Sequence, residues 1–254
     1  MSRTELIALD HFPLVKPGDD LCALVLDACE KNNLRLQNGD VLVLAQKIVS
    51  KSENRYVDLN TITPSQAAIE LAKKANKDPR AMEVLLGESK EVLKTRTNVV
   101  IVEHNNGYVH ANAGIDHSNI KQVEGKELLL LLPSDPDLSA ANLRKQIKEK
   151  TGNDINVIIN DSFGRAFRNG VCGVCIGSAG FEVIDNKIGH QDLFGNILQI
   201  TEIAIADEIA AAASMVMGQA DEGKPVVIVR GLKLKSSEQD SNALLRKKEH
   251  DLFR

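Results

Sequence analysis

The chain has 254 residues, 43% of them hydrophobic, enough to bury one sizeable core or two smaller ones without disulfides or structural metals. A net charge of -4, no Trp and two Tyr argue against a nucleic-acid partner, which asks for a basic surface and stacking aromatics. The apolar stretch near the N-terminus is broken by Asp10 and His11 and is too short for a signal segment or a membrane span, so a cytoplasmic protein with no membrane partner is expected.

In chain order, residues 6–9 and 40–49 read as strands separated by a helix over 20–32, whose first turn carries acids that suit the helix dipole. Thr63-Pro64-Ser65-Gln66 is a capping-box pattern with Pro at the first helical position, and Asp78-Pro79 opens a second helix, so residues 64–90 are predicted as a helical pair. The runs 99–102 and 108–110 around Asn105-Asn106-Gly107 predict a β-hairpin. Residues 128–132 read as a strand, Asp135-Pro136 opens a helix closed by Gly152, and 155–159 has the length of a buried strand.

Residues 169–180 hold four glycines and two cysteines among small apolar residues, a pattern of close backbone packing rather than of a linker. A strand over 181–184, an alanine-rich helix over 203–217 ended by Gly218, and a strand over 226–229 follow. From residue 233 the chain is polar and basic and reads as a partly ordered tail. Cys22 and Cys29 lie seven apart on one helix face, as core positions do, while Cys172 and Cys175 form a single CxxC lacking the second pair that structural zinc requires.

Three clusters carry candidate chemistry. Asn160 and Asp161 leave a buried strand, where sites form; the Asp161 carboxylate and the Ser162 hydroxyl are hard oxygen donors for Mg2+ or Mn2+, and Arg165 and Arg168 have the chemistry to clamp phosphate. Asn112-Ala113-Gly114-Ile115-Asp116-His117-Ser118-Asn119 brings a second acid, and two acids from separate segments can share metals across a reacting phosphate. His117 reads as an exposed loop residue. In Gly218-Gln219-Ala220-Asp221-Glu222-Gly223-Lys224-Pro225, two glycines free backbone amides for phosphates, Gln219 offers an oxygen and Lys224 a charge. Lys47 and Lys51, at the end of the second strand, could bind phosphates as well. Taken singly, each cluster equally fits an Asp-Ser turn, a helix C-cap or solvating lysines. No Walker A pattern and no GxGxxG after a strand occurs.

Together and in this order, IALDHFPLVKPGDDL, GDVLVLAQKIVSK, ANAGIDHSN, VIINDSFGRAFRNG and MGQADEGKPVVIVRG resemble the coenzyme F420-0:L-glutamate ligase family, over about residues 5–232. The resemblance implies an α+β fold of mixed sheets with flanking helices, in a γ-glutamyl ligase domain over 1–232 that two subdomains could share, with the tail at 233–254. It implies an intertwined homodimer that uses GTP with Mn2+ or Mg2+ at two sites, and K+ besides, to add L-glutamate to the lactyl carboxylate of a deazaflavin coenzyme precursor through an acyl phosphate. Asp116 and Asp161 match the metal-binding acids, with Ser162 and Gln219 contributing to the second metal. Phe12, Pro13, Leu14, Val15, Gln46, Lys47, Lys51, Asn119 and the loop Met217, Gly218, Gln219, Ala220, Asp221, Glu222, Gly223 and Lys224 match the nucleotide-contacting segments. Arg165 and Arg168 are assigned to catalysis on charge alone. Cys172 and Cys175 stand where Thr and a small residue are expected, and His117 where an acid is. A sister ligase acting on another carboxylate, and a GTP-binding regulatory protein without turnover, remain the alternatives.

Overall fold

Unalternating apolar runs at 41–44, 157–159 and 226–229 belong in strands covered on both faces, and the computed structural model, which describes residues 3–252, puts them at the centre of its main sheet. The first half of the chain runs β1 (Glu5–Ala8), α1 (Leu21–Lys31), β2 (Val41–Ala45), α2 (Gln46–Ser52), β3 (Tyr56–Asp58), α3 (Gln66–Ala75), α4 (Pro79–Gly87), β4 (Ser89–Arg96), β5 (Val99–His104) and β6 (Val109–Ala111). The second half runs β7 (Leu128–Leu130), α5 (Pro136–Thr151), β8 (Asn156–Arg165), β9 (Arg168–Phe181), β10 (Asp185–Asn186), β11 (Glu202–Ile203), α6 (Ile205–Met217), β12 (Val226–Arg230) and β13 (Ser236–Ser237). This is an α+β fold.

The main sheet has the order β1-β12-β2-β8-β9-β13. β2 and β8 are parallel, and the other neighbours are antiparallel. Alternation splits its residues between two layers. Leu42, Leu44, Val157 and Ile159 face α1 and α5, against Val25, Cys29, Leu143 and Ile147, while Val41, Val43 and Ile158 face Ile209, Ala210 and Ala213 of α6. Each of these large side chains contributes about 1.5–3 kcal/mol by leaving water. Between β2 and β8 the chain builds a second sheet, β4-β5-β6, covered by α3 and α4 through Leu71, Leu85, Val100 and Val102.

Local chemistry explains the element ends. Asp20, Ser65, Asp78 and Asp135 cap α1, α3, α4 and α5 with side-chain oxygens, and Gly152 ends α5 at φ 76. Ser65 being the cap, Pro64 lies outside α3 rather than in its first turn. The acid at the start of α1 is likewise its cap, with none in the first turn.

Several boundaries differ from the sequence reading. The strand expected over 40–49 stops at Ala45, where α2 takes over. The second half of the helical pair is followed at Ser89 by the charged strand β4. The buried strand expected to end at 159 continues through Asp161 to Arg165, and the glycine-rich segment is its partner β9. That segment does pack closely, since a Cβ on Gly177 would fall 2.5 Å from the Pro136 carbonyl carbon. Beyond residue 233, β13 pairs with the end of β9, and the Ser241 hydroxyl donates to Asp137 Oδ2 at 2.8 Å. Among the described residues no helix is long and apolar enough to cross a membrane.

Candidate functional site

Because β2 and β8 are parallel neighbours, their C-terminal halves open toward the same edge of the sheet, the usual place for a crevice in sheets of this kind. A cavity of about 650 Å³ lies there. α2 follows β2 directly and without a side-chain cap, which sets Gln46, Lys47 and Lys51 along one wall. Gln46 Nε2 donates to Asp116 Oδ2 at 2.6 Å, and Lys47 Nζ lies 3.1 Å from Asp116 Oδ1. Lys51 Nζ donates to the Asn119 carbonyl at 2.8 Å. Burial, then the neighbouring Lys47 charge, lower the Lys51 ammonium against the opposing pull of Asp116.

Asp116 reaches this wall through a tight reversal after β6. Asn112, Ala113 and Gly114 all take positive φ, at 52, 54 and 65°, and a Cβ on Gly114 would meet Leu132 at 2.6 Å, so glycine is needed there. Two backbone bonds between Asp116 and Leu130, of 2.9 and 3.0 Å, then pin the loop. Burial raises the Asp116 carboxyl; Lys47 opposes that and the nearby Asp161 adds to it. A buried acid of this kind gains from a positive partner.

Asp161 sits in β8 just past a register shift between Ile159 and Asn160, the irregularity by which a strand re-aims a side chain. Its Oδ1 accepts the Ser162 N–H at 2.7 Å, and its Oδ2 lies 3.0 Å from His110 Nε2. His110 Nδ1 lies 2.7 Å from the Ala111 carbonyl. Burial pulls the His110 imidazolium down, but the hydrogen bond and charge of Asp161, with the Ala111 carbonyl and Asp116, outweigh it and raise the ring above its ordinary value.

The opposite rim is the loop from Met217 to Lys224. Gly218 ends α6 at φ 74, ψ 177, and Glu222 curls back to accept the Ala220 N–H at 2.7 Å. Gln219 Nε2 donates to Ser214 Oγ at 3.1 Å, and Asn119 Nδ2 donates to the Ala220 carbonyl at 2.9 Å, so the two rims touch. Lys224 pairs with Asp10 at 2.8 Å. Phe12 to Val15 close the remaining side.

The residues expected at the site therefore come together around one cavity, Arg165 and Arg168 excepted. Those two face each other across the far end of the β8–β9 hairpin, exposed, with Arg165 Nη2 donating to the Asn169 carbonyl at 3.2 Å. Asn112 and Asn160, from two of the candidate clusters, line the cavity too, and so do His110 and Ser214, which no cluster contains. Asn160 is 4% exposed, and among the described residues its Oδ1 has no hydrogen-bond partner. Strand patterning marks His110 as half of a hairpin and carries no sign of its reach to Asp161. His117 is exposed, as expected, and Cys175 is a buried thiol pushed up by burial.

The donor chemistry fits a hard divalent cation, since Asp116, Asp161, Ser162 and Gln219, all bearing side-chain oxygens, line one cavity. Among the described residues no three His, Cys, Asp or Glu stand together as a group that could hold a metal ion by themselves.

The chain matches the family model described as F420-0:Gamma-glutamyl ligase over residues 10–231. It is 43% identical over 251 residues to a coenzyme F420:L-glutamate ligase of Methanothermobacter thermautotrophicus, covering 98% of both chains. The Methanocaldococcus jannaschii protein of the same name is 42% identical over 252 residues, 99% of this chain and 97% of its own. That of Methanopyrus kandleri is 43% identical over 261 residues, with both chains fully covered. Likeness of this degree from end to end shows that the chain belongs to the F420-0:Gamma-glutamyl ligase family.

Proposed function

We propose that the protein is a GTP-dependent ligase that adds L-glutamate to the lactyl carboxylate of coenzyme F420-0, any further glutamate being joined through a γ-linkage. The observation that carries this reading is the convergence of two acids from separate segments, Asp116 and Asp161, on a cavity also lined by Lys47, Lys51 and Lys224. The lysines and the backbone amides of the 217–224 loop have the charge and reach to hold a triphosphate. Asp116, Asp161, Ser162 and Gln219 would hold Mn2+ or Mg2+, with K+ as a further ion, and bound cations would neutralise phosphate charge as it develops.

The acceptor carboxylate attacks the γ-phosphorus while the bond from that phosphorus to the β–γ bridging oxygen breaks, giving an acyl phosphate and GDP. The glutamate amine then attacks the acyl carbon, the bond to the phosphate oxygen breaks, inorganic phosphate leaves and a proton passes to water. Holding both partners in place supplies much of the rate, and no protein nucleophile is needed.

A cytoplasmic homodimer belongs to this reading. Leu193, Phe194 and Ile200, in the loop joining β10 and β11, are 98, 89 and 88% exposed, and an apolar group of that kind favours a partner surface over water. Sedimentation should return twice the monomer mass, and a monomer would remove the dimer from the account.

Purified protein with GTP, Mn2+, L-glutamate and F420-0 should yield a product heavier by a glutamyl unit, with phosphate released in step. Failure of both signals would overturn the proposal. Phosphate release with another acid but not with F420-0 would reassign the acceptor, and GTP binding without turnover would point to a regulatory protein.

A further inference from the structure

His110 joins the two sheets beside the cavity. It belongs to β6, in the second sheet, yet its ring reaches Asp161 of the main sheet, with Nε2 3.0 Å from Oδ2. Six residues further along the same segment comes Asp116. The ring is held on two other sides. Nδ1 lies 2.7 Å from the Ala111 carbonyl, where a donated N–H fits, and the Phe163 ring meets the imidazole edge to face, at 4.1 Å between centroids and 74°. Phe163 lies two residues beyond Asp161 on the same strand and so projects from the same face. The side chains of His110 and Asp161 are 10 and 13% exposed.

We infer that His110 is a positioning residue: it ties the segment bearing Asp116 to β8 and fixes the orientation of the Asp161 carboxylate, so that the two acids keep the spacing a pair of cations needs. The inference rests on the metal reading proposed above. One oxygen of Asp161 is taken by its neighbour's N–H and the other by His110. The carboxylate therefore presents a single face to the cavity. Without the ring, Asp161 would be held by the Ser162 N–H alone, and the hydrogen bond between His110 of β6 and Asp161 of β8 would be lost. Partners of this kind typically contribute 10- to 100-fold to metal affinity.

The test is Mn2+ binding, followed by electron paramagnetic resonance in the presence of a non-hydrolysable GTP analogue, on the wild type, His110→Ala, His110→Gln and Asp161→Asn. Gln can place an amide N–H near the position of Nε2 but cannot also reach Ala111. His110→Ala should weaken Mn2+ binding by about 10- to 100-fold, with most of the loss recovered in His110→Gln and with GTP-analogue affinity in the absence of metal unchanged. If His110→Ala fails to fold, His110→Gln against the wild type carries the comparison, with a smaller loss of affinity expected. Wild-type Mn2+ affinity in folded His110→Ala, beside lost binding in Asp161→Asn, would overturn the inference while leaving the metal reading intact. A wild type that binds no Mn2+ would overturn both.

Discussion

Gln46 and Asp116 lie seventy residues apart in sequence and 2.6 Å apart in the fold, the amide Nε2 donating to the carboxylate Oδ2. Gln46 is 2% exposed and its Oε1 is taken by Ser50 Oγ at 2.9 Å, so its orientation is set from behind. Gln46→Ala should lower the stability of the metal-free protein by about 1–3 kcal/mol, because the buried acceptor loses its donor. Gln46→Glu should cost more, since it sets a second carboxylate against Asp116. Urea unfolding of the three proteins checks this, and a Gln46→Glu midpoint equal to that of the wild type would contradict it.

A second prediction concerns the glycine-rich strand. A Cβ on Gly173 would fall 2.5 Å from both the Ala210 carbonyl oxygen and Asn160 Oδ1, whereas one on Gly164 would meet nothing within 4 Å among the described residues. Gly173→Ala should therefore push α6 off the sheet and cost about 1–3 kcal/mol, while Gly164→Ala should stay within about 0.5 kcal/mol of the wild type. Thermal unfolding of the pair distinguishes a packing requirement from a general dislike of alanine in the hairpin.

Much of the frame is legible in the residue pattern. Asp20, Asp78-Pro79, Asp135-Pro136 and Gly152 announce helix ends by chemistry that acts within one turn. The β2–α2 boundary was hidden because Ala45 offers no cap and Ile48 and Val49 prolong the apolar run. β4 was hidden because its charged residues alternate poorly and it pairs across two register shifts. The extension of β8 past Asp161 was hidden because the turn at Ala166 and Phe167 has none of the residues that usually mark a hairpin, and Phe167 takes φ 61 there. The site loops, with Asn160 beside Asp161, are readable by type, but His110 is not, since it joins the cavity through tertiary pairing alone.

Acid stability should depend on Glu88. Burial pushes its carboxyl up, but the His104 ring and the Arg55 guanidinium, at 3.7 and 2.8 Å, outweigh it and hold it below the usual glutamate range. The folded value thus lies below the unfolded one. Its stabilisation is present above the ordinary glutamate value and is lost as pH falls through the depressed folded value. Glu88→Gln should be less stable than the wild type near neutral pH and should lose stability less steeply on acidification. Parallel acid limbs for the two proteins would contradict the assignment.

The hairpin arginines make a kinetic prediction. Arg165 and Arg168 stand outside the cavity, on the strands that carry Asp161 and Val171 into it. Because both stand outside the cavity, Arg165→Ala and Arg168→Ala should leave kcat and KM for GTP close to wild type. A loss of kcat as deep as that of Asp161→Asn would place them at the reacting phosphate instead.

The most direct measurement of the central claim follows oxygen. With 18O in both oxygens of the lactyl carboxylate, an acyl phosphate requires that one labelled atom leave with inorganic phosphate when the first glutamyl group is added, the other remaining in the new amide. Transfer of one label per first glutamyl group is the predicted result, and a first addition that releases unlabelled phosphate would contradict the account.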